Sequence, residues 1–144
     1  MTQLLDNIVA EIGPAIILTG ADITERYAVD WSRENPCTPP VVLRPTSTQQ
    51  VSTILRLCNQ ARQAVVTQGG MTGLAGGATP QQGEWVLSLE KMNGVVELDA
   101  DSMTLTARAG TPLETLQVAA REAGFMLPLD LGARGSCTIG GNIA

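Results

Sequence analysis

The chain has 144 residues, of which 44% are hydrophobic and 16% charged, so it can bury one packed core and lacks the composition of a disordered chain. A formal net charge of −5 with a single lysine predicts no nucleic-acid-binding surface, and the apolar runs are too short to predict a signal peptide or membrane span. Without histidine there is no Ser-His-Asp triad, and three widely spaced cysteines favour a reducing compartment over a disulfide framework or a metal site.

The N-terminal part is predicted to be a helix followed by a lead-in segment, together residues 1–40. Apolar side chains of residues 4–12 recur on one helical face, and Gly13-Pro14 ends the helix. Residues 20–40 are irregular and mildly polar, with the linker-like piece NPCTPP.

A βαβ unit is predicted next. Residues 41–45 form a short strand, Ser47 begins a helix with Gln50 in a capping box, and residues 64–68 form a second strand. This order predicts that the two strands are parallel. The predicted buried face of the helix consists of Val51, Ile54, Leu55, Cys58 and Ala61.

The later elements are a third strand, a hairpin and a helix. The strand covers residues 84–89, and residues 94–110 alternate apolar and polar side chains around ADS, as in a hairpin. Thr111 is predicted to be the N-cap of a helix that Gly124 ends. The residues predicted to be buried on this helix are Leu113, Leu116, Ala119, Ala120 and Ala123.

A glycine-rich, uncharged stretch, VVTQGGMTGLAGGATPQQG, begins in the second strand, and we call its residues 69–83 the first glycine loop. Its glycine spacing matches neither a Rossmann fingerprint nor a P-loop, and a flexible linker is the alternative interpretation. Its position after a strand of a βαβ unit favours a ligand site. Consecutive backbone N–H groups can hold a diphosphate without any lysine.

A second glycine-rich stretch, LGARGSCTIGGN, covers residues 131–142, and we call it the second glycine loop. It is interpreted either as a connecting loop or as a second backbone wall for the same ligand. Two such walls suit a long cofactor better than a small anion.

These two stretches, TQGGMTGLAGGATP and MLPLDLGARGSCTIGGNIA, resemble the flavin-binding stretches of FAD-linked oxidases of the vanillyl-alcohol oxidase type. RPTSTQQVSTILRLCNQ and YAVDWSRE resemble further segments of that family, and the likeness is greatest to its D-2-hydroxy-acid dehydrogenases. The resemblance implies an α+β fold, a PCMH-type FAD-binding domain. It has a small βαβ subdomain followed by strands and helices of a second, mostly antiparallel subdomain.

The resemblance also implies which residues bind FAD. In the first stretch they are Gln68, Gly69, Gly70, Met71, Thr72, Gly73, Leu74, Gly76 and Gly77. In the second they are Pro128, Asp130, Leu131, Gly132, Ser136, Cys137, Thr138, Gly140, Gly141 and Asn142. Some relatives bind flavin covalently through a histidine where this chain has Met71, so noncovalent FAD is implied.

The implied activity is FAD-dependent oxidation of a D-2-hydroxy acid of the lactate, glycolate or 2-hydroxyglutarate type. Electrons would pass to a quinone or an electron-transfer protein in a cytoplasmic enzyme. A homodimer and a peripheral place at the inner membrane face remain open. Because the family's chains run well past residue 144, residues 41–144 are expected to be an incomplete FAD-binding domain in an inactive N-terminal fragment. No catalytic residue is therefore predicted within the chain.

Several alternatives stay open at this stage. A flavin oxidase acting on an alcohol or a sugar would share the same loops, and a non-enzymatic nucleotide-binding module is the alternative outside enzymes. Asp130 and Arg134 could meet the cofactor or form a surface pair. Trp31 and Trp85 are expected to be packing anchors rather than ligand stackers.

Overall fold

A computed structural model describes residues 2–144, which form one four-stranded sheet with two helices, followed by a hairpin with two further helices. The elements of the first part are α1 (Thr2–Ile12), β1 (Ile17–Thr19), β2 (Val41–Leu43), α2 (Thr48–Gln60), β3 (Val65–Gln68) and β4 (Trp85–Ser88). Those of the second part are β5 (Val95–Asp99), β6 (Thr104–Ala107), α3 (Leu113–Glu122) and α4 (Ile139–Ile143).

The first sheet has the strand order β1-β2-β4-β3. Both β2 and β3 run parallel to β4, as Val42 and Val66 each align with Val86. The prediction that β2 and β3 are parallel is therefore confirmed, although β4 lies between them. The sequence analysis missed β1, which pairs antiparallel with β2. The predicted boundary between an N-terminal segment and the FAD-binding domain at residue 40 stays a prediction. β1 lies before this boundary but belongs to the same sheet as β2.

The main core lies between the first sheet and the helices α1 and α2. Ile8, Ile54 and Trp85 are almost completely buried there. The predicted buried face of α2 was partly wrong: Leu55 and Ala61 are exposed, and Leu57 is buried instead. Periodicity predicts that α2 has an apolar face, but it does not show which side chains at the margins of that face the rest of the protein covers.

The N-terminus of α2 is capped as predicted, with one change. The Ser47 hydroxyl accepts a hydrogen bond from the backbone N–H of Gln50 at 3.3 Å. The Gln50 carboxamide accepts from the backbone N–H of Thr46 at 2.7 Å, one residue before the N-cap. The first bond satisfies a donor that the first turn of a helix leaves free, and the second ties the residue before the N-cap to that turn.

The hairpin of β5 and β6 is confirmed and has an irregular register between Val95 and Glu97. Its turn is closed by Asp99, which accepts hydrogen bonds from the Asp101 amide and from Ser102. Bonds from the side chain and the backbone of Ser102 lower the pKa of the Asp99 carboxyl, because they stabilise its charged form.

Thr111 is not the N-cap of α3, which was the prediction. Pro112 holds that position, and the buried Thr111 hydroxyl instead accepts from the Gly94 N–H at 2.9 Å and contacts the Arg108 carbonyl oxygen at 2.6 Å. Thr111 therefore joins the start of the hairpin to its end. Gly124 ends the helix at φ 83, as predicted, whereas Ala123 is exposed rather than buried.

We expect Thr111→Val to lower the free energy of unfolding by about 1–3 kcal/mol, because the isosteric side chain leaves the Gly94 N–H without its acceptor. Thr115→Val is the matched control, since Thr115 is exposed on α3. Urea denaturation of both variants is the measurement. Equal stability losses in the two variants would contradict the joining role of Thr111.

Candidate functional site

The two glycine loops meet backbone against backbone. A Cβ atom at Gly69 would overlap the Thr138 hydroxyl, and one at Gly70 would overlap the carbonyl of Ser136. Glycine is therefore required at both positions, because no side chain fits between the loops. Beside this contact lies an open cleft of about 390 Å³, whose lining includes Gly69, Gly70, Met71, Asn93, Ser136 and Thr138.

Most backbone N–H groups of the first glycine loop have no partner. Between residues 69 and 77, the Gly76 N–H is the one that donates within the described chain, to the Asp30 carboxylate at 2.9 Å. Backbone donors are rarely left unpaired unless water or a ligand satisfies them. The remaining amides of this stretch have no acceptor within residues 2–144, and the anion nest stays a prediction.

The second glycine loop is tied to the start of α3. The Leu113 N–H donates to the Cys137 carbonyl at 3.0 Å, and the Glu114 N–H donates to the Arg134 carbonyl at 2.9 Å. Ile139 donates in turn to the Thr111 carbonyl at 2.9 Å. These bonds use the free N–H groups of the helix to hold the loop against the start of α3.

Two buried polar side chains form hydrogen bonds that hold the first glycine loop in place. The Gln68 carboxamide donates to the carbonyls of Tyr27 at 2.9 Å and Ala78 at 2.8 Å, while its own oxygen has no partner within residues 2–144. The second side chain is that of Asp30, which sequence reasoning missed. The one signal for Asp30 in the sequence is that it lies in the segment YAVDWSRE, which resembles a segment of the family.

The Glu90 carboxylate is shared between two arginines near the rim of the cleft. Glu90 lies 2.8 Å from the Arg26 guanidinium and 3.5 Å from that of Arg44, and it accepts a hydrogen bond from the Tyr27 hydroxyl at 2.8 Å. Burial raises the pKa of Tyr27, and its bond to Glu90 raises it further, so the Tyr27 hydroxyl stays protonated and donates its hydrogen bond to Glu90.

Apart from Gln68, which is buried beside the cleft's first loop, the predicted site residues divide into three groups. Gly69, Gly70, Met71, Ser136 and Thr138 line the cleft, as stated above. Thr72, Gly73, Leu74, Gly76 and Gly77 continue the first loop away from it, and Leu74 is largely exposed. The remaining predicted residues belong to the segment around the second loop and do not line the cleft: Pro128, Asp130, Leu131, Gly132, Cys137, Gly140, Gly141 and Asn142.

Several side chains of this last group have structural contacts. Cys137 is buried, and its sulfur accepts from the Asn142 side chain at 3.6 Å. Asp130 pairs with Arg134 at 3.1 Å on the surface, which is the second of the two interpretations that the sequence left open. A Cβ atom at Gly140 would press against Ala109.

The two tryptophans differ. Trp85 is a packing anchor as predicted, whereas Trp31 is 67% exposed and that prediction was wrong.

Cys58 is buried in the core, where desolvation raises its thiol pKa. Among residues 2–144, no group of side chains could hold a metal ion, and no helix has the length and apolarity to cross a membrane.

A mixed sheet whose parallel strand β3 leads into an open glycine loop, facing a second glycine-rich loop, is an arrangement that suits a dinucleotide cofactor. Residues 39–144 match the family described as an FAD binding domain, and the chain belongs to that family. The cofactor of this family is FAD. The predicted fold, a PCMH-type FAD-binding domain of the α+β class, is confirmed.

The chain also resembles individual proteins. It is 48% identical over 120 residues to D-2-hydroxyglutarate dehydrogenase of Xanthomonas citri pv. viticola, covering 83% of this chain and 25% of that one. It is 45% identical over 131 residues to the mitochondrial D-2-hydroxyglutarate dehydrogenase of Bos taurus, covering 91% and 24%. The solved structure of an alkyldihydroxyacetonephosphate synthase has a TM-score of 0.89 at 17% identity, covering 98% and 28%, which shows the shared fold. The chain spans about a quarter of the length of the curated relatives that it matches.

Met71 has a left-handed backbone conformation, with φ 58, which residues other than glycine and asparagine rarely adopt. We expect Met71→Asn to raise the free energy of unfolding by roughly 0.5–1 kcal/mol, because asparagine adopts this backbone conformation at lower cost. The packing energy lost with the half-buried methionine side chain is to be subtracted from this gain. Met103→Asn is the matched control, because Met103 has φ 54 but is exposed in the hairpin turn. Thermal unfolding of both variants is the measurement, and no gain in either would contradict strain at these positions.

Proposed function

We propose that the first glycine loop holds the diphosphate of FAD through its unpaired backbone N–H groups. The observation that carries this proposal is the row of amides between residues 69 and 77 that lack acceptors within the described chain. The neutral loop and the mutual neutralisation of Arg26 and Glu90 fit a site that binds an anion through peptide dipoles. Ser136 and Thr138 present hydroxyl groups from the opposite wall toward the same ligand.

We propose that the segment around the second glycine loop, residues 128–142, contacts the flavin and ribityl parts of FAD. FAD supplies the chemistry of accepting a hydride equivalent from a substrate carbon. This chain supplies orientation and exclusion of water, and we assign no catalytic residue to it. The bond to FAD is noncovalent, because the chain has no histidine and a thioether at Met71 is not a nucleophile of the required kind.

For the protein to which this chain belongs, we propose oxidation of a D-2-hydroxy acid to the 2-oxo acid. The support is the identity of 48% and 45% to two D-2-hydroxyglutarate dehydrogenases, over the part of each that the chain spans. The electron acceptor is proposed to be a quinone or an electron-transfer protein. A cytoplasmic place is proposed from the free cysteines, which would equally suit the mitochondrial place named for one relative.

The cradle can be tested in the isolated chain by recording amide NMR signals during titration with FAD. We expect the signals of residues 69–72 to shift, because an anion draws electron density along each N–H bond that it accepts. Amides of the hairpin turn, residues 100–103, serve as the internal control. Shifts confined to the hairpin, with none in the first glycine loop, would contradict the cradle.

The activity can be tested with the protein as its gene encodes it. Acid precipitation should leave a colourless pellet and free FAD in the supernatant, since no covalent bond retains the flavin. The holoprotein should be bleached by D-lactate, glycolate or D-2-hydroxyglutarate and remain oxidised with the matching L-acids. A yellow pellet would contradict noncovalent attachment. Bleaching by alcohols or sugars alone would assign the other class of flavin oxidase, and a protein without flavin would favour the non-enzymatic module.

A further inference from the structure

We propose that Asp30 is a positioning residue that fixes the first glycine loop in the shape that binds the cofactor, an inference that rests on the proposed FAD cradle. Asp30 is 3% exposed, although it lies in an irregular segment and carries a carboxylate. Its oxygen Oδ2 accepts from the Gly76 N–H at 2.9 Å. A residue 46 positions earlier in the chain thus binds the one amide between residues 69 and 77 that has an acceptor within residues 2–144.

Asp30 holds both ends of a single turn. While its carboxylate binds Gly76, its own backbone N–H donates to the Thr79 hydroxyl at 3.2 Å. The turn itself is closed by the Thr79 N–H, which donates to the Gly76 carbonyl at 3.1 Å. Gly76 has φ 74, a conformation that glycine adopts freely but does not hold by itself. The bonds to Asp30 supply that constraint.

The carboxylate is held in turn by its own segment. Oxygen Oδ1 accepts from the Ser32 backbone N–H at 3.0 Å and from the Ser32 hydroxyl at 2.6 Å. No arginine or lysine pairs with Asp30 within residues 2–144, so hydrogen bonds alone compensate its burial. Bonds to an ionised acceptor are shorter and stronger than neutral ones, and a buried carboxylate therefore fixes the turn more firmly than a neutral side chain could.

The position of this charge also divides the loop. A Cβ atom at Gly73 would lie 3.5 Å from Oδ2, so the negative charge lies under the stretch from Gly73 to Gly76. A diphosphate is repelled from that stretch and attracted to the amides of residues 69–72, next to the cleft. Asp30 thereby orders one half of the loop and directs the anion to the other half. Holding the loop in its binding shape before the ligand arrives lowers the cost of binding.

The test compares Asp30→Asn with Ser32→Ala, which removes one donor to Oδ1 and leaves the Gly76 bond in place. Both are made in the 144-residue chain and in the protein as its gene encodes it. In Asp30→Asn we expect hydrogen exchange at the Gly76 amide to accelerate about tenfold or more, because its charged acceptor is lost. The dissociation constant for FAD should rise about tenfold in the folded variant. Ser32→Ala should leave both values within about twofold.

An unchanged Gly76 exchange rate, or an unchanged FAD dissociation constant in a folded Asp30→Asn variant whose loop has loosened, would overturn the role of Asp30 while leaving the FAD cradle intact. A wild-type protein that binds no FAD would instead overturn the proposed function. If Asp30→Asn does not fold, exchange in the wild type decides the question. A protected Gly76 amide beside a rapidly exchanging Gly77 amide supports the proposal, and equal rates overturn it.

Discussion

The contact between the two glycine loops is the constraint on which the rest of the site depends. Gly70 lies so close to the Ser136 carbonyl that any side chain would separate the loops. Each loop is attached to a different rigid element: the first leaves β3, and the second provides the carbonyls on which α3 begins. This backbone contact therefore helps to fix the sheet of the first part relative to the helix of the second.

A site made of backbone has particular electrostatics. The chain carries a net charge of −5, and the arginine nearest the cleft is already paired with Glu90. An anionic cofactor consequently gains little from long-range attraction, which salt screens within about 8–10 Å. Its binding must come from short hydrogen bonds to amides whose dipoles are fixed in direction before the ligand arrives. This explains why so much buried polar structure, including Gln68 and Asp30, serves to hold one loop.

The sequence predicted the features that local patterns determine. Alternation predicted the hairpin, and Ser47 with Gln50 predicted the start of α2, because these signals act between residues close in the chain. It missed what long-range packing determines: β1 and the place of β4 between β2 and β3. Glycine clustering predicted both walls of the site. Asp30 escaped detection because a lone aspartate in an irregular segment has no pattern, and its partner Gly76 is 46 residues away.

The cleft lies between two parts of unequal strength. The described clusters of buried residues lie around the four-stranded sheet, which carries the first loop. The hairpin has only two strands, which are marginal by themselves, and apolar residues near it such as Met103, Met126 and Ile143 are largely exposed. Local opening is therefore expected to be easiest on the side of the second loop. A ligand that contacts both walls stabilises the weaker one, by about 2.7 kcal/mol at a hundredfold excess over its dissociation constant. In the proposed site the cofactor would therefore complete the packing between the two parts, because its binding energy would be available only when both loops are in place.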